Sequence, residues 1–339
     1  MPTSIKDVAA RAGVSTATVS HVINETRKIT PATRKRVMAA VEALGYSINR
    51  AARNLAMGRR SSLLGVLISD IRNPFFPDVV ASFQDQALLQ HQLEALVLNT
   101  NYDPARMLDC VKRLLGLQVA GVAVLTSQLD PAAAAALSAG NIPTVYLDLG
   151  RVGKGVSNIA IGYEHGIAEG LEHLRQLGHR AIAYVGGPVH LGSSQWRKRA
   201  FIETAARLGL TPVAALDGDF SVKGGYDASW SLLQSAKPTA IVAGNDLLAI
   251  GALHAAYDLR LDVPRHLSVV GFDDIDFARY TQPALTTVAI PRDEIGRLAY
   301  AALDGLLKRP EQAGAEYRVP TRLSIRQSTA APAPARKNE

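Results

Sequence analysis

The chain of 339 residues predicts an α/β fold behind a small N-terminal helical module, on three observations. The opening residues pattern as two short helices around a glycine turn. From Leu63 onward the apolar runs are continuous rather than alternating, as in parallel strands buried on both faces, with amphipathic helix-length stretches between them. Basic charge is confined to one end: residues 1–60 carry 11 Lys+Arg and 3 Asp+Glu, a formal +8, whereas residues 61–339 carry 26 and 27, a formal −1.

Each element has a local cause. Ser4 with Asp7 three residues on fits a capping box, so a helix starts at Ile5 with an acid near its positive end. Val8, Ala9 and Ala12 form its apolar stripe, and Gly13 supplies the residue that a tight inter-helix turn favours. Ser15 caps a second helix, in which Val19, Val22 and Ile23 share one face and Thr16, Ala17, Ser20, His21 and Asn24 the other. Thr30 and Pro31 start a third, with Val37, Val41 and Leu44 pointing inward. Three such helices suit a helix-turn-helix that sets its second helix in a DNA major groove; an ordinary helical bundle with a solvated face remains the alternative. The charge distribution favours the first, because a small basic module on a near-neutral body is the footprint of phosphate binding.

Asn49 to Arg60 has helix-forming residues but little apolar surface, so alone it is marginal as a helix. Leu55 stands out as a large apolar side chain among small and basic ones, suited to wedging between base steps; a basic flexible linker is the equal alternative. Then come the strand-like runs Leu63–Ile68, Leu93–Leu98, Gly121–Leu125 and Pro143–Leu147. The pattern restarts at Ala181–Val185 and continues through Ala240–Ala243 and Leu267–Gly271. Two doubly wound parallel sheets in succession imply two lobes with a cleft lined by strand-end loops, where such sheets bind ligands. Gln327 to Glu339 is rich in Ala, Pro and polar residues and predicts a loose tail.

Composition excludes several classes. Cys110 is the single cysteine, so neither a disulfide framework nor a thiolate metal site is expected, and the setting is expected to be cytoplasmic. No apolar run approaches membrane-spanning length, and no export signal is expected. A reactive constellation is missing: there is no metal-ligand His pair at helical spacing, no Gly-x-Ser-x-Gly elbow, and Gly150-Arg-Val-Gly-Lys-Gly155 has the wrong spacing for a phosphate loop. The expectation is a non-enzyme with no cofactor and no metal.

The residues Val14-Ser-Thr-Ala-Thr-Val-Ser-His-Val-Ile-Asn24, the Asn49–Met57 run, Leu177-Gly-His-Arg180, Gly186-Gly-Pro188, Gly244-Asn-Asp246, Gly271-Phe-Asp-Asp274 and Pro283-Ala-Leu-Thr-Thr287 together resemble the LacI/GalR family of transcription repressors. The reading head is most similar to that of its purine- and ribose-repressor members. The resemblance implies residues 1–48 as the helix-turn-helix domain, 49–60 as hinge, 61–330 as a two-lobed body of the type I periplasmic-binding-protein fold for effector binding and dimerisation, and 331–339 as loose tail. It further implies a homodimer on a palindromic operator, with affinity set by a small effector. The tail after Ser324 has no heptad repeat that would join dimers.

Residue by residue, the resemblance implies base reading from Thr16, Ala17 and His21, with Ser20 and Asn24 on the same face, and an operator-opening leucine at Leu55. In the cleft it points to Asn73, Phe75, Asp148, Arg197, Phe220, Asn245 and Asp273. Their chemistry suits a polyhydroxylated ligand, because carboxylates, amides and a guanidinium satisfy hydroxyls in pairs while aromatics cover ring faces. The bland readings are core aromatics at Phe75 and Phe220, a turn residue at Asp273 and a surface charge at Arg197. Ile161-Gly-Tyr-Glu164 departs from the Asp-Asn pair of many members, and His190 to Gln195 matches nothing interpretable, so the effector is not identified. A free sugar-binding transport protein is the alternative function, set against by the basic helical module.

Overall fold

The computed structural model describes residues 3–24, 26–46, 61–126, 128, 130–309 and 311–333. The chain divides into two compact units, Met1–Ser62 and Leu63–Glu339.

In the first unit, α1 (Ile5–Ala12) begins on the expected capping box: Asp7 N lies 3.4 Å from Ser4 Oγ, and Ser4 N donates back to Asp7 Oδ2 at 2.8 Å. Gly13 ends it at φ 63°, a left-handed conformation that costs a glycine least. Ser15 Oγ accepts from Thr18 N at 3.1 Å and opens α2 (Thr16–Asn24), and Thr30 caps α3 (Pro31–Ala43). Val8, Val19 and Val37, all at 0% exposure, meet in one small core, with Val41 and Leu44 half-buried beside it.

The second unit holds two six-stranded sheets. The first is built from β1 (Leu63–Ile68), β2 (Glu94–Asn99), β3 (Gly121–Leu125), β4 (Thr144–Leu147), β5 (Val156–Gly162) and β11 (Glu316–Pro320), in the order β11-β5-β4-β3-β1-β2. The second is built from β6 (Ile182–Gly186), β7 (Ala214–Asp217), β8 (Ala240–Ala243), β9 (Ser268–Asp273), β10 (Thr286–Ala289) and β12 (Arg322–Ser324), in the order β12-β10-β9-β8-β6-β7. Pairing is parallel except between β10 and β12. The helices α4 (Phe75–His91), α5 (Pro104–Gly116) and α6 (Pro131–Ala139) belong to the first lobe. Those of the second are α7 (Tyr163–Gln176), α8 (Gly192–Arg207), α9 (Val222–Ser235) and α10 (Asp246–Asp258).

The lobes do not follow one another as the sequence predicts. After β10 the chain returns to the first lobe, where α11 (Arg292–Lys308) packs on α4 and β11 joins β5, before β12 closes the second sheet. The lobes are therefore joined by three crossovers, near Gly162, Pro291 and Thr321. Two of these are tied together: Thr321 Oγ1 donates to Gly162 O at 2.7 Å and accepts from Gly166 N at 3.0 Å. Of the strands that escape the sequence reading, β7 and β12 are short or exposed, whereas β5 is well buried but its apolar run is broken by Ser157 and Asn158.

The expected loose tail also needs correction. Ser328 is fully buried; its hydroxyl donates to Val269 O at 2.6 Å and accepts from Thr286 N at 2.8 Å. His179 Nε2 lies 2.9 Å from Ala330 O. Residues 327–330 thus dock through backbone and hydroxyl groups, which a hydrophobicity pattern does not register.

Candidate functional site: a cleft between two lobes and a helical reading head

The cleft forms where strands of both sheets end. Asn73 and Phe75 stand at the start of α4, after β1, and Asp148 follows β4. Arg197 comes from α8, Phe220 precedes α9, Asn245 caps α10, and Asp273 ends β9. All seven residues line one cavity, together with Phe76, Tyr102, Tyr163 and Ser193. Three of them are held at positive φ: Asp148 at 57°, Phe220 at 62° and Asp273 at 110°. Such conformations cost a side-chain-bearing residue about 1–3 kcal/mol and gather where a side chain must be aimed.

Arg197 occupies the centre. Its guanidinium carbon lies 4.3 Å from the centroid of the Phe272 ring, 5.1 Å from Tyr163 and 5.8 Å from Phe220. One terminal nitrogen donates to Gly244 O, and the other approaches Asp273 Oδ1 at 3.0 Å. Arg197 and Asp273 are 6% and 2% exposed, so this is a buried ion pair rather than a surface charge and a turn residue. The Asp273 contact is off the hydrogen-bonding angle. Arg197 Nε is buried without a hydrogen-bond partner among the described residues, and Asp273 Oδ1 is met only by the ion pair, although such groups are costly to leave unmet.

Other polar groups are already engaged. Asn245 Oδ1 accepts from Leu248 N at 2.9 Å and its amide donates to Phe220 O at 3.3 Å; Asn73 Oδ1 accepts from Phe75 N at 3.0 Å. Both amides therefore shape the cavity wall first. Asp148 accepts from Tyr163 Oη and, at 2.6 Å, from Ile161 N. The cavity encloses about 30 Å³, enough for water but not for a sugar ring, so a ligand enters with movement of the lobes or of Arg197.

Burial pushes the Asp148 carboxyl up to about 6, against the hydrogen bonds from Tyr163 and Ile161 that favour its charged form. Burial raises Asp273 as well, opposed by the charge of Arg197, and lifts Asp246 well above the carboxylate range. For Asp148 the folded pKa exceeds the unfolded one, so its contribution to stability is whole below about pH 4. It is lost as pH rises through about 6, amounting to roughly 2–3 kcal/mol. Asp148→Asn should remove that slope and be the more stable protein at pH 7. Urea melts of both proteins between pH 4 and 7 measure this; parallel curves would show that Asp148 is not held neutral.

Sequence reasoning misses Tyr163, Tyr102 and Ser193. Tyr163 sits on the first crossover, Tyr102 lies just beyond the carboxyl end of β2, and Ser193 is four residues before Arg197 on one helix. The strand-end rule and helical spacing carry the signal for the last two.

A second set of contacts joins the lobes beside the cleft. Arg292 Nε is 2.8 Å from Asp78 Oδ2 of α4 in the first lobe. Another of its nitrogens donates to the backbone carbonyls of Asp273, at 3.1 Å, and Asp274 in the second. The same Asp274 accepts from Arg326 at 2.6 Å.

In the helical unit, Thr16 and Ala17 are exposed, and Ser20 and His21 half-buried, on α2. His21 Nδ1 lies 2.8 Å from Thr26 Oγ1, and Arg27, Lys28 and Arg34 surround a groove next to it. Asn24, four residues beyond Ser20 on the same helix, is more deeply buried. It is 9% exposed, and its amide donates to Ser20 Oγ at 3.0 Å. Leu55 and the rest of the 49–60 hinge lie outside the described residues.

Among the described residues no His, Cys, Asp or Glu group could hold a metal ion, and no helix is long and apolar enough to cross a membrane. A capped helix-turn-helix and a two-lobed body with a strand-end cleft define a DNA-binding transcription regulator rather than an enzyme. Residues 4–49 match the bacterial regulatory proteins of the lacI family, and residues 171–329 match a periplasmic binding protein-like domain. The chain is 31% identical to catabolite control protein A of Priestia megaterium over 335 residues, 97% of this chain and 100% of that protein. It is 34% identical to the transcriptional repressor PurR of Proteus mirabilis, over 91% of this chain and 92% of the other. Its fold superposes on the lac repressor dimer bound to operator and the anti-inducer ONPF with a TM-score of 0.85 at 30% identity, covering 98% of this chain and 100% of that one. The chain belongs to the LacI family of bacterial regulatory proteins.

Proposed function

We propose that this protein is a cytoplasmic repressor that binds a palindromic operator as a homodimer and releases or grips it according to a small effector, a sugar or sugar derivative, held in the cleft. The observation that carries the effector reading is the cavity: a buried guanidinium and carboxylate with unmet hydrogen-bonding atoms, walled by Phe75, Phe220 and Tyr163. That combination suits hydroxyl groups on a ring with apolar faces. Asn73, Asp148, Arg197, Asn245 and Asp273 supply the polar wall. Relatives of the same fold include the transcriptional regulator CelR in complex with cellobiose, at 27% identity and a TM-score of 0.73 over 96% of this chain and 99% of that one.

Dimerisation follows from the reading head, since one recognition helix spans too few base pairs for specificity and two-fold protein symmetry requires a two-fold operator. The body exposes Leu89, Phe277 and Tyr280 at 78%, 61% and 81%, apolar surface suited to a second copy. In each half-site Thr16, Ala17, Ser20 and His21 face the bases, and Leu55 enters the operator centre.

A thermal-shift screen of sugars and purines on the full chain tests the effector class. A ligand at about 100 times its Kd stabilises the folded state by about 2.7 kcal/mol. Stabilisation by purines alone would replace the sugar reading. At the other end of the protein, His21→Ala should cost roughly 1–3 kcal/mol on the preferred operator and little on others. Binding across a randomised half-site library measures it; an unchanged base preference would remove His21 from the reading surface.

A further inference from the structure

Helix α8 presents a stripe at the spacing i, i+3, i+4, i+7: Ser193, Trp196, Arg197 and Ala200. Ser193 and Arg197 line the closed cavity and Ala200 is buried, yet Trp196 is 45% exposed, with the Arg199 guanidinium 4.8 Å from its ring centroid. A half-exposed tryptophan at the rim of a ligand cleft offers a large apolar surface to whatever enters.

That tryptophan borders a second cavity, of about 470 Å³, within the range of small-molecule sites. Asp148, Ile161 and Tyr163 line both this groove and the closed cavity, so the Tyr163–Asp148 hydrogen bond stands on the boundary between them. The remaining wall is mixed, with Leu149 and Ala160 beside the polar Asn158, Glu164, Glu316 and Arg318. Glu164 has no ion-pair or hydrogen-bond partner among the described residues. Asn158 spends its side-chain carbonyl on Leu149 N and Gly150 N, at 3.1 and 3.2 Å, and its side-chain amide nitrogen donates to no described residue.

We propose that this groove is an outer subsite for a second sugar ring, so that the effector is a disaccharide or glycoside rather than a single ring. The inference rests on the cleft being the effector site. The ring lies against the half-exposed Trp196, with its hydroxyls shared between the Glu164 carboxylate and the Asn158 amide. The hydrogen-bonded pair at the boundary meets the linkage between the rings.

The test uses the full-length protein and a panel of cellobiose, maltose, lactose and trehalose beside glucose, galactose and ribose. Calorimetry should find a disaccharide bound at least tenfold more tightly than its constituent monosaccharide. Trp196→Ala should weaken that disaccharide by roughly tenfold, the loss of one stacked ring face, and leave the monosaccharide unchanged. In Trp230→Phe, which leaves Trp196 as the single tryptophan, the disaccharide should change the indole emission and the monosaccharide should not. A sugar that binds with affinity and emission indifferent to Trp196 overturns the outer subsite and leaves the cavity assignment standing. Binding of no sugar on the panel overturns both.

Discussion

Arg197→Ala should lower the stability of the body by about 3–5 kcal/mol, because it strands the Asp273 carboxylate in a site that is 2% exposed. For a domain of this size that is on the order of 10 °C in Tm. The neighbouring rings add to the loss, since the guanidinium is packed among Phe272, Tyr163 and Phe220. Replacing both charges, as in Arg197→Met with Asp273→Asn, should recover most of the stability, because no buried charge is left alone. It should not recover the effector response. Operator affinity without effector should match the parent in both variants wherever they are folded. Denaturant melts, calorimetry and gel shifts separate these effects, and an effector response unchanged in a folded Arg197→Ala protein would place the effector outside the cleft.

The second large effect lies away from the cleft. Helices α9 and α10 touch backbone to backbone where Gly225 and Gly251 meet. A Cβ on Gly251 would stand 2.2 Å from Val222 O, 2.4 Å from Tyr226 N and 2.7 Å from Gly225 C. None of these atoms can rotate away as a side chain would, so the helices must separate. Gly251→Ala should therefore sit at or above the upper end of overpacking costs, about 3 kcal/mol. Gly305, on α11, offers the control: nothing lies within 4 Å of its added Cβ, and Gly305→Ala should gain about 0.5–1 kcal/mol from helix propensity alone. Equal melting temperatures for the two variants would contradict the close packing of α9 on α10.

What the sequence reveals tracks how each residue is used. β1, β3 and β8 are legible to the residue because they are buried on both faces and bounded by polar turns. β11 and β12 are not, since edge strands draw their hydrogen bonds from neighbours and need no apolar run. The interleaved lobes follow from those two strands and so escape with them. The seven cleft residues converge in one cavity, but spacing alone cannot show that Asn245 is a helix cap or that Arg197 is a buried ion. Asn24 shows the limit of a helical wheel: its amide bonds back to Ser20 Oγ and only 9% of the residue is exposed, which spacing does not record.

Arg292 turns the junction of the lobes into a setting for dose. A single guanidinium holds Asp78 of one lobe and the Asp273 carbonyl of the other, and the Asp273 side chain faces the cavity. Any separation of the lobes breaks the contact to the Asp273 carbonyl, so its strength enters the balance between closed and open forms before an effector arrives. A partly screened contact of about 1 kcal/mol changes that balance roughly fivefold. The concentration at which half the molecules respond then shifts by up to the same factor, with the binding site itself untouched. If the cleft is the effector site, sensitivity is thus tunable at Arg292, a residue that does not line the cavity.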